Sequence, residues 1–143
     1  MYELLIDGPP IALQRHRSSR GIMYDPQSSI KKKMLKDLAP ILKRYPLLDE
    51  PISIHFIFDF AIPKQKSKRW RRENYYRQQR PDASNCLKFY EDLFNGILWK
   101  DDSQIVYLSA EKRYNDIPKT FIQWQPIPNE YPYQDVLDEA INL

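Results

Sequence analysis

Between residues 52 and 60 the chain alternates: Ile52, Ile54, Phe56, Phe58 and Phe60 are spaced by Ser53, His55, Ile57 and Asp59. A period of two puts one residue set on one face, so this is a strand with a buried side. Ile30, Met34, Leu38, Ile41 and Leu42 recur at helical spacing instead. They predict a helix capped by Ser28 or Ser29 and running to about Arg44, with Lys31, Lys32, Lys33 and Lys36 on its other faces. A second helix is predicted from Ser84 to about Asn95, ended by Gly96. Its buried side is read as Leu87, Phe94 and either Tyr90 or Ile97. Further strands are predicted at Tyr2 to Ile6, Gly21 to Tyr24, Gln104 to Tyr114 and Thr120 to Gln125. Gly8-Pro9-Pro10, Asp25-Pro26 and Asp116-Ile117-Pro118 supply turns, and Tyr133 to Asn142 reads as a final helix. The pattern as a whole predicts an α/β (α+β) fold: a single domain with a mixed, largely antiparallel sheet and helices packed on it.

At 143 residues the chain suits one domain with a real core. That domain is placed at 1–126, with an acidic tail at 127–143. A hydrophobic content of 42% and a charged content of 29% are ordinary for a soluble globular protein. The start, MYELLIDGPP, has no signal-peptide pattern, and the apolar run IHFIFDFAIP is too short and polar to span a bilayer. One cysteine, Cys86, excludes an internal disulfide, so a cytoplasmic location is expected. Charge changes the picture more. The net +3 conceals a basic loop, 63–81, holding Lys64, Lys66, Lys68, Arg69, Arg71, Arg72, Arg77 and Arg80 against Glu73 alone. A second cluster holds Arg15, His16, Arg17 and Arg20. From Phe121 onward there are acids but no lysine or arginine. Such asymmetry points to a polyanionic partner. Trp70, Tyr75 and Tyr76 lie within the basic loop, and aromatic faces can stack on unpaired bases.

The acids next to that loop suggest chemistry. Asp82 precedes a predicted helix, and Asp101 and Asp102 precede a predicted strand. Carboxylates are the hard oxygen ligands that magnesium needs. The plainer reading makes Asp82 a helix cap and Asp101-Asp102 a solvated turn. Asn85, Lys88 and Asp92 share one helix side, where Lys88 either stabilises charge during phosphoryl transfer or forms a surface pair with Asp92. Cys86 is read as a packing residue and His55 as structural.

Taken in order, Arg80-Pro81-Asp82-x-x-Asn85-x-x-Lys88, Asp92-x-x-Asn95-Gly96, Asp101-Asp102-x-Gln104-Ile105 and Lys112 resemble the RusA family of Holliday junction resolvases. Gly8-Pro9-Pro10, Arg15, Arg17 and Tyr24-Asp25-Pro26 extend the likeness over roughly residues 1–115. The resemblance implies a homodimer that cuts four-way DNA junctions by paired nicks, using Mg2+ or Mn2+. Two-fold symmetry suits a two-fold substrate. Asp82 and Asp102 match the family's metal-binding aspartates, Lys88 its essential lysine, Asp101 the neighbouring acid and Asn85 the following asparagine. Asp92 and Lys112 fall on supporting positions.

One residue departs from the pattern. Where the family has Asp-x-Asp-Asn, this chain has Asp82-Ala83-Ser84-Asn85. A serine hydroxyl can bind magnesium but adds no charge. Either another acid compensates (Asp101 first, then Glu91 or Glu111) or Ser84 caps the helix and the site has decayed. The reading is therefore a metal-dependent junction endonuclease of recombination and repair, with Asp82, Lys88 and Asp102 catalytic. Asp82, Asp101, Asp102 and Ser84 would hold metal, and Arg15, Arg17, Lys68, Arg69, Arg71, Arg72, Arg77 and Arg80 would hold DNA. The competing readings are a junction-binding protein with little or no nuclease activity and a nuclease for other branched DNA.

Overall fold

The computed structural model describes residues 1–130 and 134–142. The described residues form six strands, β1 (Tyr2–Asp7), β2 (Arg17–Ser19), β3 (Ile22–Tyr24), β4 (Ile52–Ala61), β5 (Ile105–Asn115) and β6 (Lys119–Pro126), and four α-helices. The helices are α1 (Ser28–Leu42), α2 (Lys68–Glu73), α3 (Ala83–Phe94) and α4 (Gln134–Ile141). Four strands form the main sheet in the order β1-β6-β4-β5. β6 is antiparallel to both β1 and β4, while β4 and β5 run parallel. The sheet is thus mixed and largely antiparallel, as the pattern predicts.

β4 sits at the centre, and its alternation is the core. Ile52, Ile54, Phe56, Phe58 and Phe60 are all buried, joined by Leu4, Ile6, Ile122 and Trp124 from β1 and β6. α3 covers this face. Its buried side is Cys86, Phe89, Tyr90, Leu93 and Phe94, wider than the sequence reading, while Leu87 and Ile97 are only half-buried. Tyr90 lies 6.1 Å from Phe56 and 5.7 Å from Phe58, ring to ring. Its hydroxyl accepts from the Ile11 backbone at 3.1 Å and bonds Thr120 Oγ1 at 3.1 Å, so the phenol is satisfied where it is buried. Met34, Leu35, Leu38 and Ile41 of α1 pack against the same core.

Neither Ser28 nor Ser29 caps α1. The cap position is Gln27, without a side-chain cap bond. Gln27 is instead 2% exposed, and its amide joins the Ala12 carbonyl to the Gln14 N–H. That contact fixes the segment leading into the β2–β3 hairpin, whose two-residue turn, Arg20-Gly21, takes φ of 54° and 77°. On the sheet's far face Asp59 is fully buried, held by Arg113 at 2.9 Å and by Asn115 at 3.2 Å. The predicted final helix is present as α4, and Tyr133 lies outside the described residues.

Candidate active site and nucleic-acid interface

Asp82 stands at the N-cap of α3 with extended backbone (φ −67°, ψ 146°), yet its side chain makes no capping bond. Ser84 is the second residue of the helix and cannot be its cap either, which removes the simplest structural role for that serine. Both side chains are exposed. The capping explanation therefore fails for both residues, and the Asp82 carboxylate remains available.

The approach to Asp82 is built by the end of the basic loop. Tyr75–Arg77 lies along the free edge of β5: Tyr114 N donates to Tyr75 O at 3.0 Å and Arg77 N to Lys112 O at 3.0 Å. Lys112 Nζ then donates to the carbonyls of Gln79 and Pro81, both at 2.8 Å. One ammonium-to-carbonyl clamp from the half-buried Lys112 thus sets the backbone immediately before Asp82. Within the stretch read as a loop, Lys68–Glu73 forms the short helix α2, capped by Ser67 Oγ accepting from Trp70 N at 3.1 Å.

At the other end, the chain leaves α3 through Gly96 (φ 80°), a left-handed position that glycine takes at no steric cost. Trp99 is fully buried below it, and its Nε1 donates to Asp102 Oδ1 at 2.9 Å. This bond aims Asp102, and among the described residues its second carboxylate oxygen has no hydrogen-bond partner. Trp99 was not singled out in the sequence. Its only signal was a large indole three residues before an acid. Asp101 is differently occupied: it caps the 3-10 turn Asp102–Gln104, accepting from Ser103 N at 3.0 Å while Gln104 reaches back to the Asp101 N–H at 2.8 Å. Those hydrogen bonds from Ser103 hold its carboxyl below the usual range.

Ser84, Lys88 and Glu91 follow one another at i, i+4 and i+7, so they share one stripe of α3. Glu91 is half-buried, and its carboxyl is pushed up by that burial and by the facing charge of Asp102, against the opposing pull of Lys88. Asp102, Glu91 and Lys88 therefore stand within electrostatic reach of one another. Asp92 does not join them. It pairs with Lys31 of α1, which also bonds Asp25 at 2.6 Å, so the surface pair with Lys88 does not form. Asn85 contributes through its backbone: its carbonyl accepts from Leu13 N at 2.9 Å. That bond ties the segment carrying Arg15 and Arg17 to the first turn of α3. Cys86 is fully buried and burial pushes its thiol up to about 11, which suits packing and not nucleophilic work.

Among the described residues, no three histidine, cysteine, aspartate or glutamate side chains gather closely enough to hold a metal ion by themselves. Asp82, Asp101 and Asp102 do not form one cluster. Magnesium does not demand one, because it commonly takes one or two carboxylates, keeps several waters and completes its shell with substrate phosphates. The Asp82 carboxylate, the second oxygen of Asp102 and the half-buried Glu91, which feels the charge of Asp102, fit that mode of binding.

The basic residues divide into two sets. Arg15, Arg17, Lys68, Arg72 and Arg80 are exposed. Arg69 pairs with Glu73 at 3.1 Å and Arg71 with Asp116 at 3.0 Å, both on the surface. Arg77 is used internally: its guanidinium lies 4.3 Å from the Phe60 ring centre and donates to the Arg80 carbonyl at 2.6 Å.

The profile of the endodeoxyribonuclease RusA family matches residues 7–125. The chain belongs to the RusA endodeoxyribonuclease family. RusA proteins are Holliday junction resolving endonucleases and are generally dependent on a divalent metal. A curated relative, "Uncharacterized protein YqaN" from Bacillus subtilis (strain 168), is 27% identical over 123 residues, covering 78% of this chain and 87% of that protein. The RusA match runs from Asp7, the last residue of β1, to Gln125 near the end of β6, and includes every site residue discussed above.

Proposed function

We propose that this RusA-family protein is a metal-dependent endonuclease that resolves four-way junctions by paired, symmetric nicks in recombination and repair. The observation that supports it best is the α3 stripe of Ser84, Lys88 and Glu91, whose Glu91 carboxyl feels the charges of Asp102 and Lys88, with the uncapped Asp82 carboxylate at the head of the same helix. A divalent cation (magnesium, or manganese in its place) would supply an activated water and neutralise phosphate charge. Asp82 and Asp102 would be its principal protein ligands, with Ser84 adding a neutral oxygen. Glu91 is the acid that makes up for Ser84, since Asp101 is engaged as a cap and Glu91 already faces Asp102. Lys88, exposed one turn from both, neutralises charge developing on the scissile phosphate. The exposed arginines and lysines of the 63–81 stretch and of the N-terminal hairpin hold backbone phosphates.

Paired cuts need two sites in fixed relation, and the reading includes a homodimer. Val106, Tyr107 and Leu108, exposed by 55%, 66% and 43% on the edge strand β5, offer an apolar surface a few residues from Asp102. Among the described residues, no helix is long and apolar enough to cross a membrane.

The test is cutting of a synthetic four-way junction with magnesium, with manganese and with chelator, alongside Asp102→Asn. Asparagine keeps an oxygen for Trp99 Nε1 and removes only charge. Paired, metal-dependent nicks by the native chain, and binding without nicks by the variant, are expected. Tight binding with no nicks under any metal would instead favour a junction-binding protein, and nicks confined to flaps or forks would assign another branched substrate.

A further inference from the structure

One cavity of the molecule includes neither Asp82 nor Asp102 in its lining. It lies between α2 and the strap that runs along β5, and its volume is about 470 Å³. That is within the range of roughly 300–1,000 Å³ usual for small-molecule sites. Trp70 and Tyr114 form its inner wall, their rings edge to face at 5.1 Å. Tyr76, 60% exposed, flanks them. Gln78 and Gln79 contribute two exposed amides, and Lys66 holds its ammonium 5.1 Å from the Trp70 ring centre.

This lining is specific in kind. Aromatic walls accept a flat π surface, side-chain amides offer both donors and acceptors, and one cation sits at the mouth. No arginine lines the cavity, so it is a poor trap for a bare phosphate. A flat heterocycle attached to a phosphodiester satisfies every wall. The location adds a second argument. Gln79 is three residues from Asp82, and its carbonyl is one of the two that Lys112 clamps. Whatever Gln78 and Gln79 grip is therefore held at a fixed distance along the chain from the cutting site.

We infer that this cavity takes one unstacked nucleobase of the bound DNA and sets which phosphodiester reaches Asp82 and Asp102. The inference rests on the junction-nuclease reading and deepens it: the basic surface would hold any DNA, and the cavity selects a position. Bases at the crossover of a junction are the easiest to supply, because their stacking is already interrupted.

The experiment measures binding of the full chain, in chelator, to four-way junctions carrying a single abasic site at successive positions around the crossover. One position should lower affinity by roughly 5- to 150-fold, the worth of one base stacked on an aromatic side chain. Trp70→Ala should lose the same factor on the intact junction and lose nothing more on that abasic one. Because Trp70 also packs on Tyr114, a second variant, Gln78→Ala with Gln79→Ala on the exposed rim, should likewise become indifferent to that base. Abasic and protein losses that multiply, or no sensitive position, would overturn the cavity while leaving junction binding intact. A native chain that prefers junction to duplex in no form would overturn the junction reading and the cavity with it. A free nucleoside monophosphate bound as tightly as the junction would assign the cavity to a separate nucleotide ligand.

Discussion

At the scale of single residues, the proposed site turns on Ser84, a neutral side chain two residues after Asp82. A capping role does not explain it, since the residue lies inside α3. Glu91, two turns further along the same stripe, is the acid that Asp102 pushes up after burial. Glu91→Gln should therefore weaken manganese binding about 10- to 100-fold, as loss of a group that tunes a metal site does. Calorimetric titration of Mn2+ checks this without turnover. Ser84→Asp in the Glu91→Gln background should restore affinity. No change with either variant would remove Glu91 from the site.

A second residue-scale prediction concerns Lys31, whose ammonium joins Asp25 ahead of α1 to Asp92 on α3. The Lys31 hydrogen bond, then one from Gln27 N, then the charges of Lys31 and His16, together hold the Asp25 carboxyl below its ordinary value despite partial burial. A carboxyl lowered in the folded state stabilises fully above its unfolded value of about 3.9. That contribution fades as pH falls through the lower folded value. Urea midpoints from pH 7 to pH 3 should thus fall more steeply for the native chain than for Asp25→Asn. Lys31→Met should cost about 1.5 kcal/mol at pH 7, the lower end for a hydrogen bond to a charged group, because Asp92 is half-exposed.

At the scale of elements, the long basic stretch is more ordered than its composition suggests. Solvated charge runs read as loops because they lack apolar periodicity. Here α2 forms behind a serine cap, and Tyr75–Arg77 borrows the open edge of β5. Lys112 completes the arrangement from β5, whose neighbour in register is Phe58. Replacing Lys112 with Met leaves two carbonyls without their donor and frees the backbone before Asp82. Junction cutting should fall about 10- to 100-fold while binding changes little, judged by single-turnover rate against affinity. Equal loss of both would mean that Lys112 holds DNA and does not position Asp82.

At the scale of the whole molecule, charge is distributed so that a net of +3 says little about the interface. Two basic segments far apart in sequence are each tied near the start of α3: Leu13 N bonds the Asn85 carbonyl, and Lys112 holds the Gln79 and Pro81 carbonyls. If six or more phosphates are contacted, junction affinity should drop by about three powers of ten or more between 50 and 200 mM salt. Fluorescence anisotropy across that range measures it. A shallow slope would mean that the basic segments are mostly solvated.

Local pattern alone was enough for the strands other than β2, the two long helices, the buried face of β4 and the order of the motif residues. Those features depend on periodicity and on turn residues, which are written in consecutive positions. Tertiary structure decided the rest. Trp99 aims Asp102, Glu91 faces it, Asp92 turns away to Lys31, and Asp101 is consumed as a cap. The parallel pairing of β5 with β4 leaves an edge on which the basic stretch folds and a cavity beside it. None of these is local. Each depends on which element packs on which, and a side chain's partner across that packing is set by distance in space, which the spacing of residues along one chain does not record.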